Sequence, residues 1–539
     1  MVYVKKSLSL LFLLLTGLAL WQCARKGTPS GGPKDIEPPV LLRATPENFS
    51  INFNANKIRL YFDEFVRVED AQNQIIVSPP LQYPLEIRPL GGASKYVEIT
   101  IQDTLRENTT YTFNFGQSIV DNNEGNPYPY LNYVFSTGAY IDSLSLSGAI
   151  KDAFNRKADE FVSVMLYELD TSYTDSTIYK RPPNYITNTL DSLPLFELKN
   201  LKAGSYALFA IKDINKNNLF DQRQDKIGFL LDTIQIPTDS IYLLNLFLEE
   251  PDYSASVPSY VAKNHIIFGF QGNHEDMKIE SLTELPDSVR TLVLKDRERD
   301  TLDYWLTPTD LDSIIFTVSN SLLDQQDTFT VKTRKLDLDS LKFTPSVRGT
   351  MNFEDSFSIL GTTPIVALDT SKVEFVISDS IVMPYSYQID TLKNKIDFGF
   401  ELEPNQRYGL SLLPGAVSDF FGLQNDSLSY RISTGSYADY GNLRLTVSGA
   451  VSYPLVVQLT NEQGETQREL LADRPKTFEF NNLEPSQYLV RVIFDTNGNG
   501  KWDTGSFLKK IQPEKISYYP DVIDVRANWE LAQEFILAD

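Results

Sequence analysis

The 539-residue chain is poor in the residues that build reactive sites, with one cysteine, Cys23, and two histidines, His265 and His274. A single cysteine cannot form a disulfide or a thiolate metal site within one chain. Two histidines leave almost no material for a His-ligated zinc site or a His-based triad. The sequence also has no Gly-x-Ser-x-Gly, P-loop or dinucleotide-binding motif between a predicted strand and a predicted helix, where such motifs function. We therefore expect a protein that is not an enzyme.

Positive charge is scarce as well. The formal net charge is -22, and removal of residues 1–22 would bring it to about -24, because that segment carries Lys5 and Lys6 and no acid. Such a potential repels nucleic-acid phosphates and anionic lipid headgroups, so we expect no nucleic-acid partner. The negative charge is compatible with a folded part that stays away from an anionic membrane surface. The requirement for solubility alone would also explain it.

Helical periodicity is confined to a short segment near residues 70–74, and alternating patterns are common. In residues 57–62 the apolar side chains of Ile58, Leu60 and Phe62 fall on one face, as in a half-buried strand. The 28 Tyr and 32 Phe residues are typical of strands. A chain of 539 residues is too long for a single hydrophobic core and is expected to form several domains. We predict an all-β fold of tandem β-sandwiches. Further strands are predicted at residues 111–115, 265–270, 291–294, 314–318 and 531–536.

The strongest internal signal is a repeat. Residues 196–206 return without a gap as residues 478–488, and the register continues into an Asx-rich loop that follows each copy. A second pair lies upstream, where residues 105–111 match residues 402–408. Repeated β-modules of about 100 residues are typical of scaffolds and binding proteins.

The start of the chain has the pattern of a secretory signal. An apolar run over residues 8–20 follows a positively charged start and is shorter than the about 20 residues that a membrane span needs. Cys23 comes next, and Leu20-Trp-Gln-Cys23 resembles the lipobox of bacterial lipoproteins, with Gln22 where that pattern prefers a small residue. The resemblance implies cleavage before Cys23 and its acylation, for example with palmitate. The alternative is an uncleaved N-terminal anchor.

Residues 23–37 are rich in Gly and Pro and predict a flexible tether. Some Bacteroidetes surface lipoproteins carry an acidic cluster after the lipidated cysteine, whereas this chain has Ala24-Arg-Lys-Gly27. By that resemblance the protein is an outer-membrane lipoprotein that faces the periplasm rather than the cell surface, with the membrane as a partner through its lipid anchor.

Residues 38–138 resemble the bacterial Ig-like domain of S-layer proteins, the SbsA type. The resemblance rests on Pro46-Glu-Asn48, Phe62-Asp-Glu64, the segment from Leu105 to Tyr111 and Phe135-Ser-Thr-Gly138. It implies an Ig-like fold with a spacer or surface role. Residues 337–435 are a diverged copy, and residues 254–336 are predicted to form another Ig-like sandwich.

The pattern from Phe196 to Tyr206 resembles the prealbumin-like or carboxypeptidase-regulatory-like β-sandwich, in which a turn feeds a core strand with a buried Tyr. We call residues 139–253 the first repeat module and residues 436–539 the second repeat module. The family is mostly structural or carbohydrate-associated.

The Asx-rich loops of the two modules are the best candidates for a site. Oxygen-bearing side chains at alternate positions resemble a calcium loop, and calcium is the cofactor we consider. Both loops lack the bidentate Glu of an EF-hand, and Asx residues also build tight turns by bonding their own backbone. The candidate ligands are Asp213, Asn215, Asn217, Asp221, Asp495, Asn497, Asn499 and Asp503.

Other candidates have simpler explanations. Asp63 and Glu64 are adjacent at a predicted strand end and point to opposite faces, which disfavours an acid/base couple. His274 could join Glu275 and Asp276 in a zinc site, but ordinary surface or strand histidines fit better. Of the tryptophans, Trp502 aligns with Phe220, which favours packing over a sugar platform.

Three functions remain. The first is a non-enzymatic envelope lipoprotein that acts as a spacer or protein-interaction scaffold for an envelope protein. The second is a glycan-binding lipoprotein for polysaccharide capture, which requires exposed aromatics on one sandwich. The third is a hydrolase with two carboxylates about 5–10 Å apart in one cleft.

Overall fold

The computed structural model describes residues 34–189, 193–296, 299–378, 381–449 and 452–537. The predicted signal peptide and Cys23 lie outside the described residues. By its internal contacts the chain divides into two compact units. The first contains described residues 34–143 and 199–202, and the second contains the other described residues.

The described chain is all-β, with one short α-helix, α1 (Ala71–Gln74), where the sequence indicated helical periodicity. The first Ig-like domain contains β1 (Leu41–Thr45), β2 (Lys57–Val68), β3 (Ile76–Ser78), β4 (Glu86–Arg88), β5 (Ser94–Thr100), β6 (Thr110–Asn114), β7 (Ile119–Asp121) and β8 (Asn132–Ser136). One sheet has the order β1-β2-β5-β4, with β7 also paired to β2, and the other has the order β3-β6-β8. Ile58, Leu60 and Phe62 are buried in the core between them, as predicted.

The diverged Ig-like copy has the same pairing scheme. Its elements are β25 (Phe343–Pro345), β26 (Gly349–Met351), β27 (Phe357–Gly361), β28 (Ile365–Leu368), η2 (Thr370–Lys372), β29 (Val373–Ile377), β30 (Ile381–Val382), β31 (Ser386–Asp390), β32 (Lys395–Gly399), β33 (Arg407–Leu412), β34 (Val417–Asp419) and β35 (Leu428–Thr434). The sheet β25-β27-β32-β31 corresponds to β1-β2-β5-β4, and β29-β33-β35 corresponds to β3-β6-β8.

The repeated Asn and Tyr positions have the same structural role in both Ig-like copies. Asn108 and Asn405 adopt the left-handed backbone conformation, with φ of 48° and 57°, which Asn tolerates better than most residues. The hydroxyl groups of Tyr111 and Tyr408 each accept a hydrogen bond from the backbone N–H five residues upstream, at 2.9 and 2.7 Å. This arrangement is similar to the tyrosine corner of Ig-type sandwiches, so the sequence repeat preserves a buried anchor.

Residues 254–336 also form two sheets. Their strands are β17 (Ser254–Ala255), β18 (Ser259–Ala262), β19 (His265–Gln271), β20 (Met277–Ser281), β21 (Thr291–Lys295), β22 (Thr301–Leu306), β23 (Ser313–Asn320) and β24 (Gln325–Lys332). The orders are β17-β19-β22-β21, with β18 on β19, and β20-β23-β24. The strands predicted here are confirmed.

The two repeat modules have eight strands each, in the same order. The first contains β9 (Leu144–Asp152), β10 (Ser163–Glu168), η1 (Asp175–Tyr179), β11 (Tyr185–Asn188), β12 (Leu195–Leu201), β13 (Gly204–Lys212), β14 (Lys226–Phe229), β15 (Ile234–Ile236) and β16 (Ile241–Leu248). After η3 (Tyr437–Asp439), the second contains β36 (Gly441–Ser448), β37 (Leu455–Thr460), β38 (Thr466–Ala472), β39 (Lys476–Leu483), β40 (Ser486–Phe494), β41 (Ile516–Tyr518), β42 (Ile523–Val525) and β43 (Glu530–Ile536).

Most strand pairs also match between the modules, although the described sixth and eighth strands pair with each other in the first module and not in the second. In each, the first strand pairs in parallel with the eighth and also pairs with the fourth. The second pairs with the third and the fifth, and the fifth pairs with the sixth and the seventh. Asn200 and Asn482, with φ of 58° and 54°, lie near the end of the fourth strand, just before the turn to the fifth. Tyr206 and Tyr488 then enter the core, as the resemblance implied.

Candidate functional site

The Asx loop of each repeat module lies between its fifth and sixth strands, and its carboxylates accept backbone hydrogen bonds. Asp495 accepts from the N–H groups of Gly498 at 2.7 Å and Gly500 at 2.8 Å. In the first module, Asp213 accepts from the N–H of Asn218 at 2.7 Å. These contacts belong to Asx-type turns, which the side chains of Asp and Asn form with nearby amides.

The predicted calcium ligands are brought together without forming an evident cation site. The side-chain amides of Asn497 and Asn499 each donate a hydrogen bond to Asp503 Oδ2 at 2.7 Å, so nitrogen rather than oxygen faces that carboxylate. Among the described residues there is no group of three or more His, Cys, Asp or Glu side chains placed to hold a metal ion. Calcium binding by these loops stays a prediction. The hydrogen bonds of the Asp and Asn side chains fit the alternative, in which these residues stabilise tight turns.

The sequence pattern showed Asp225 in the first loop but did not reveal its equivalent in the second, Glu514. Asp225 accepts from the N–H groups of Ile214 and Asp221, at 2.9 and 2.8 Å. Glu514 accepts from the two equivalent N–H groups, those of Thr496 and Asp503, at 2.6 and 3.1 Å. Burial raises the pKa of Asp225 despite these bonds.

A signal for that equivalence was present in the sequence. Asp225-Lys-Ile leads into the sixth strand of the first module, and Glu514-Lys-Ile leads into that of the second. The spacing from Asp221 to Asp225 is four residues, and from Asp503 to Glu514 it is eleven. The second copy is therefore seven residues longer at this point, and the extra residues form a feature that the first module lacks.

The extra residues dock on the first repeat module. Phe507 is 2% exposed, and its ring lies edge-on to Phe209 and Phe229, with centroids 5.2 Å from each. Gly505 approaches Phe247 so closely that an added Cβ would lie 2.7 Å from the ring. Close packing of aromatic edges and faces in this pocket stabilises the contact. We call this contact, together with the reciprocal one described below, the inter-repeat joint.

Polar groups fix the docked segment at its edges. Glu249, which is buried, accepts a hydrogen bond from the backbone N–H of Phe507. Burial raises the pKa of Glu249, because removal from water disfavours the charged carboxylate more than the hydrogen bond from Phe507 favours it. Thr504 donates to the carbonyl of Leu248 at 2.6 Å, and Gln512 donates to that of Phe229 at 2.9 Å.

A reciprocal contact runs from the first module to the second. Phe154 packs against Trp502, with ring centroids 4.9 Å apart, and the guanidinium of Arg491 lies 4.2 Å from the centroid of Phe154. Tyr518 donates a hydrogen bond to the carbonyl of Phe154 at 2.6 Å. Trp502 is therefore engaged in packing, as its alignment with Phe220 suggested.

A polar cleft of about 410 Å³ lies beside the joint. It forms where the Asx loops of both repeat modules meet residues 270–275, which belong to the sandwich of residues 254–336. Cationic and acidic side chains share its wall, and His274 stacks on Phe270 with centroids 4.6 Å apart. Burial and nearby Lys295 lower the pKa of His274, which favours its neutral form. The charged lining residues are Arg223, Glu250, Glu275, Asp300 and Lys501.

The other histidine has a structural environment. His265 is buried and stacks on Trp305 at 3.8 Å, and its two ring nitrogens lie 3.0 Å from carboxylate oxygens of Asp303 and Asp339. The two histidines occupy different surroundings and do not form a shared site.

Asp63 and Glu64 lie within β2 rather than at a strand end, which corrects the sequence expectation. Asp63 accepts the N–H of Val40 at 2.8 Å. Burial, and next the charge of Asp121, raise the pKa of Glu64. Asp121 itself accepts hydrogen bonds from four backbone N–H groups of the following turn, so its carboxylate serves to hold that turn.

Exposed aromatic side chains occur on two different sandwiches. Tyr61 and Tyr96 are neighbours across β2 and β5 on the solvent side of the first Ig-like domain, with ring centroids 5.7 Å apart. Tyr96 is 41% exposed. Trp529, at 47% exposed, lies in the second repeat module with Arg526 over its ring.

Residues 35–137 match the family model of a bacterial Ig-like domain, over the region where sequence analysis placed one. No curated protein matches the chain. Among the described residues, no helix has the length and apolar character needed to cross a membrane.

Several solved structures of modular proteins are similar to the chain. The S-layer protein rSbsC is 12% identical, with a TM-score of 0.15, over 90% of this chain and 67% of that one. SGBP-B of the Bacteroides ovatus mixed-linkage glucan utilization locus, in complex with a mixed-linkage heptasaccharide, is 10% identical, with a TM-score of 0.18, over 71% and 92%. The BSP domain of a biofilm-associated protein is 9% identical, with a TM-score of 0.15, over 92% and 99%. At these TM-scores the likeness carries no functional argument.

Proposed function

We propose that the protein is a non-enzymatic lipoprotein of the cell envelope that acts as a structural spacer and protein-interaction scaffold. In this proposal, acylated Cys23 anchors it in the outer membrane, and its folded part faces the periplasm. The match to a bacterial Ig-like domain fits a structural or binding role.

The observation that carries the scaffold proposal is the inter-repeat joint. The second repeat module has an insertion that buries Phe507 in an aromatic pocket of the first, and the first returns Phe154 to the second. Repeat modules joined in this way do not move independently of each other, because separating them would expose buried aromatic side chains. A fixed arrangement of modules is what a scaffold needs to hold partners at defined positions.

Mass spectrometry of the native protein from membranes, with a Cys23→Ala control, tests the anchor. We expect a mature chain that begins at acylated Cys23 and a control that loses acylation. An unacylated chain that retains residues 1–22, and equal membrane binding of the control, would overturn the lipoprotein proposal. Crosslinking in intact cells then tests for envelope partners. Turnover of a cell-wall or polysaccharide substrate by the purified protein would contradict the non-enzymatic part.

Glycan capture is a second candidate function, and the pair of exposed Tyr96 and half-buried Tyr61 favours it. Aromatic rings on an open sheet face offer flat apolar surfaces to the faces of sugar rings, with hydroxyl groups at their edges. Binding of the whole chain to a panel of neutral and acidic polysaccharides tests this candidate, and silence over the whole panel would contradict it.

A further inference from the structure

The solvent side of the sheet β1-β2-β5-β4 in the first Ig-like domain is a flat polar and aromatic face. Alternation along β2 and β5 sends Ile58, Leu60, Val97 and Ile99 into the core and sends the residues between them outward. Cross-strand register then sets the outward residues in rows. The members of this outer face are Arg43, Tyr61 and Tyr96; Thr45, Arg59, Glu98 and Arg88; and Lys57, Thr100 and Glu86.

The charge of the outer face is opposite to that of the protein. With the exposed Asp63, which follows Tyr61 in the outward positions of β2, four basic and three acidic side chains give it a formal charge of +1, in a chain with a net charge of -22. Residues 34–143 contain eight Lys and Arg residues and fourteen Asp and Glu residues. Half of the basic residues, but only three of the fourteen acidic ones, therefore lie on this one face. Solubility does not require such sorting, whereas recognition of an anion does.

Two basic groups flank a pair of adjacent aromatic rings on this face. The guanidinium of Arg43 lies 4.1 Å from the ring centroid of Tyr61, and that of Arg59 lies 5.7 Å from that of Tyr96. The two rings are 5.7 Å apart and tilted by 41°. The order across two neighbouring strand pairs is thus Arg43, Tyr61, Tyr96, Arg59.

The ion pairs on the face leave one cation without an acidic partner. Lys57 and Arg59 both bond Glu98, at 3.5 and 2.7 Å, so two positive charges share one carboxylate. In the described part of the chain, Arg43 forms no ion pair and is held by Tyr61 alone. A planar guanidinium on a ring keeps its N–H groups free to donate, and arginine suits bidentate recognition of carboxylate or phosphate.

We propose that the outer face binds an anionic polysaccharide, with acidic groups of the polymer on Arg43 and Arg59 and sugar rings against Tyr61 and Tyr96. The inference rests on the second candidate function and names its site and ligand class. Charge complementarity selects the occupant, because a neutral glycan would not account for the basic residues. The negative charge of the rest of the chain repels polyanions of every kind, so the charge and the aromatic rings of the outer face have to supply the binding. Anionic lipid headgroups offer similar acidic groups and are distinguished by the test.

Affinity electrophoresis of the whole chain, purified from membranes in neutral detergent, tests the proposal with polygalacturonate as the acidic probe and dextran as the neutral one. We expect retardation by polygalacturonate that weakens with added salt, and none by dextran. Arg43→Ala and Tyr96→Ala should each weaken binding about tenfold, the loss expected for one charge-assisted contact or one aromatic contact. Arg106→Ala is the matched control, because it removes an exposed positive charge from the same domain and leaves the outer face intact.

The outcomes separate the inference from the candidate function on which it rests. Retardation by dextran and polygalacturonate alike, unchanged in Arg43→Ala, would overturn the acidic ligand and leave glycan capture standing. Absence of any retardation would overturn the acidic ligand, and silence over the whole polysaccharide panel as well would overturn glycan capture. If monomeric short-chain phosphatidylglycerol bound the wild-type chain but not Arg43→Ala, and polygalacturonate did not bind, the ligand would be a lipid headgroup and the proposal would be wrong. Equal melting temperatures of the variants would exclude misfolding as the cause of lost binding.

Discussion

The backbone N–H of Phe507 donates a hydrogen bond to the buried carboxylate of Glu249, which lies 258 residues earlier in the chain. The donor belongs to the insertion that distinguishes the second repeat module from the first. The acceptor directly follows the last strand of the first module. Duplication alone would give two similar sandwiches, and the insertion is what joins them through a specific contact.

Replacement of Phe507 by Ala should open the inter-repeat joint. The ring is buried between Phe209 and Phe229, and its removal leaves a cavity in a packed aromatic cluster, at a cost of about 3–5 kcal/mol to the joint. Limited proteolysis should then cleave the segment around residues 504–512 faster than in the wild-type chain. Leu508→Ala is the matched control, since Leu508 is 54% exposed. Equal protection in the two variants would show that the aromatic contact does not hold the modules together.

The stability of the joint should fall as pH rises, because of Glu249. Its folded-state pKa lies above the ordinary 4.5, so its contribution to stability is fully present below that value and is lost as pH rises through the raised pKa. Glu249→Gln keeps an acceptor for the N–H of Phe507 and cannot ionise, and it should flatten this dependence. Urea unfolding from about pH 4 to about pH 8 measures it.

Glu250→Gln provides the control for that experiment, because Glu250 is adjacent and exposed. It should keep the pH dependence of the wild-type chain. The same slope in Glu249→Gln as in the wild-type chain would contradict the assignment to Glu249.

Much of the fold could be predicted from the sequence, because repeated residues have repeated local roles. Asn108 and Asn405 recur since each adopts a left-handed conformation, and Tyr111 and Tyr408 recur since each anchors the same turn. Alternation of apolar residues located the strands because one face of each sheet is buried. These features act over a few residues and therefore leave a local trace.

The joint could not be predicted in the same way. The segment around Phe507 has the composition of a loop, and its burial depends on a pocket formed by residues that are far away in sequence. Only the extra length between Asp503 and Glu514, once aligned with Asp221 and Asp225, marks it as a new feature. The outer face was also missed, because its rows arise from register between strands rather than from spacing along one strand.

Asp121 should stabilise the first Ig-like domain through the turn that follows β7. Burial opposes its ionisation, but four backbone N–H groups donate to the carboxylate and lower its pKa below the ordinary 3.8. Its contribution is therefore present above that value and is lost as pH falls through the lower folded pKa. Asp121→Ala should cost about 3 kcal/mol and speed hydrogen exchange at residues 123–126. Glu124→Ala, an exposed change in the same turn, should leave exchange almost unchanged, and similar exchange in the two variants would refute the role of Asp121.

The Asx loop of the second repeat module distinguishes calcium binding from turn capping. Because Asp495 already accepts the N–H groups of Gly498 and Gly500, we expect Asp495→Ala to lower the melting temperature equally in calcium and in EDTA. The amides of Asn497 and Asn499 would have to rotate before their oxygens could face a cation beside Asp503.

Differential scanning calorimetry of the wild-type chain, Asp495→Ala and the exposed-site control Asp521→Ala measures this difference. A ligand that binds only the folded state raises the melting temperature in proportion to its occupancy. A rise with calcium in the wild-type chain and in Asp521→Ala, absent from Asp495→Ala, would therefore establish a calcium site and reject simple capping. A melting temperature that does not respond to calcium in any of the three would assign the repeated Asx residues to the turn, where their spacing preserves backbone geometry rather than a metal.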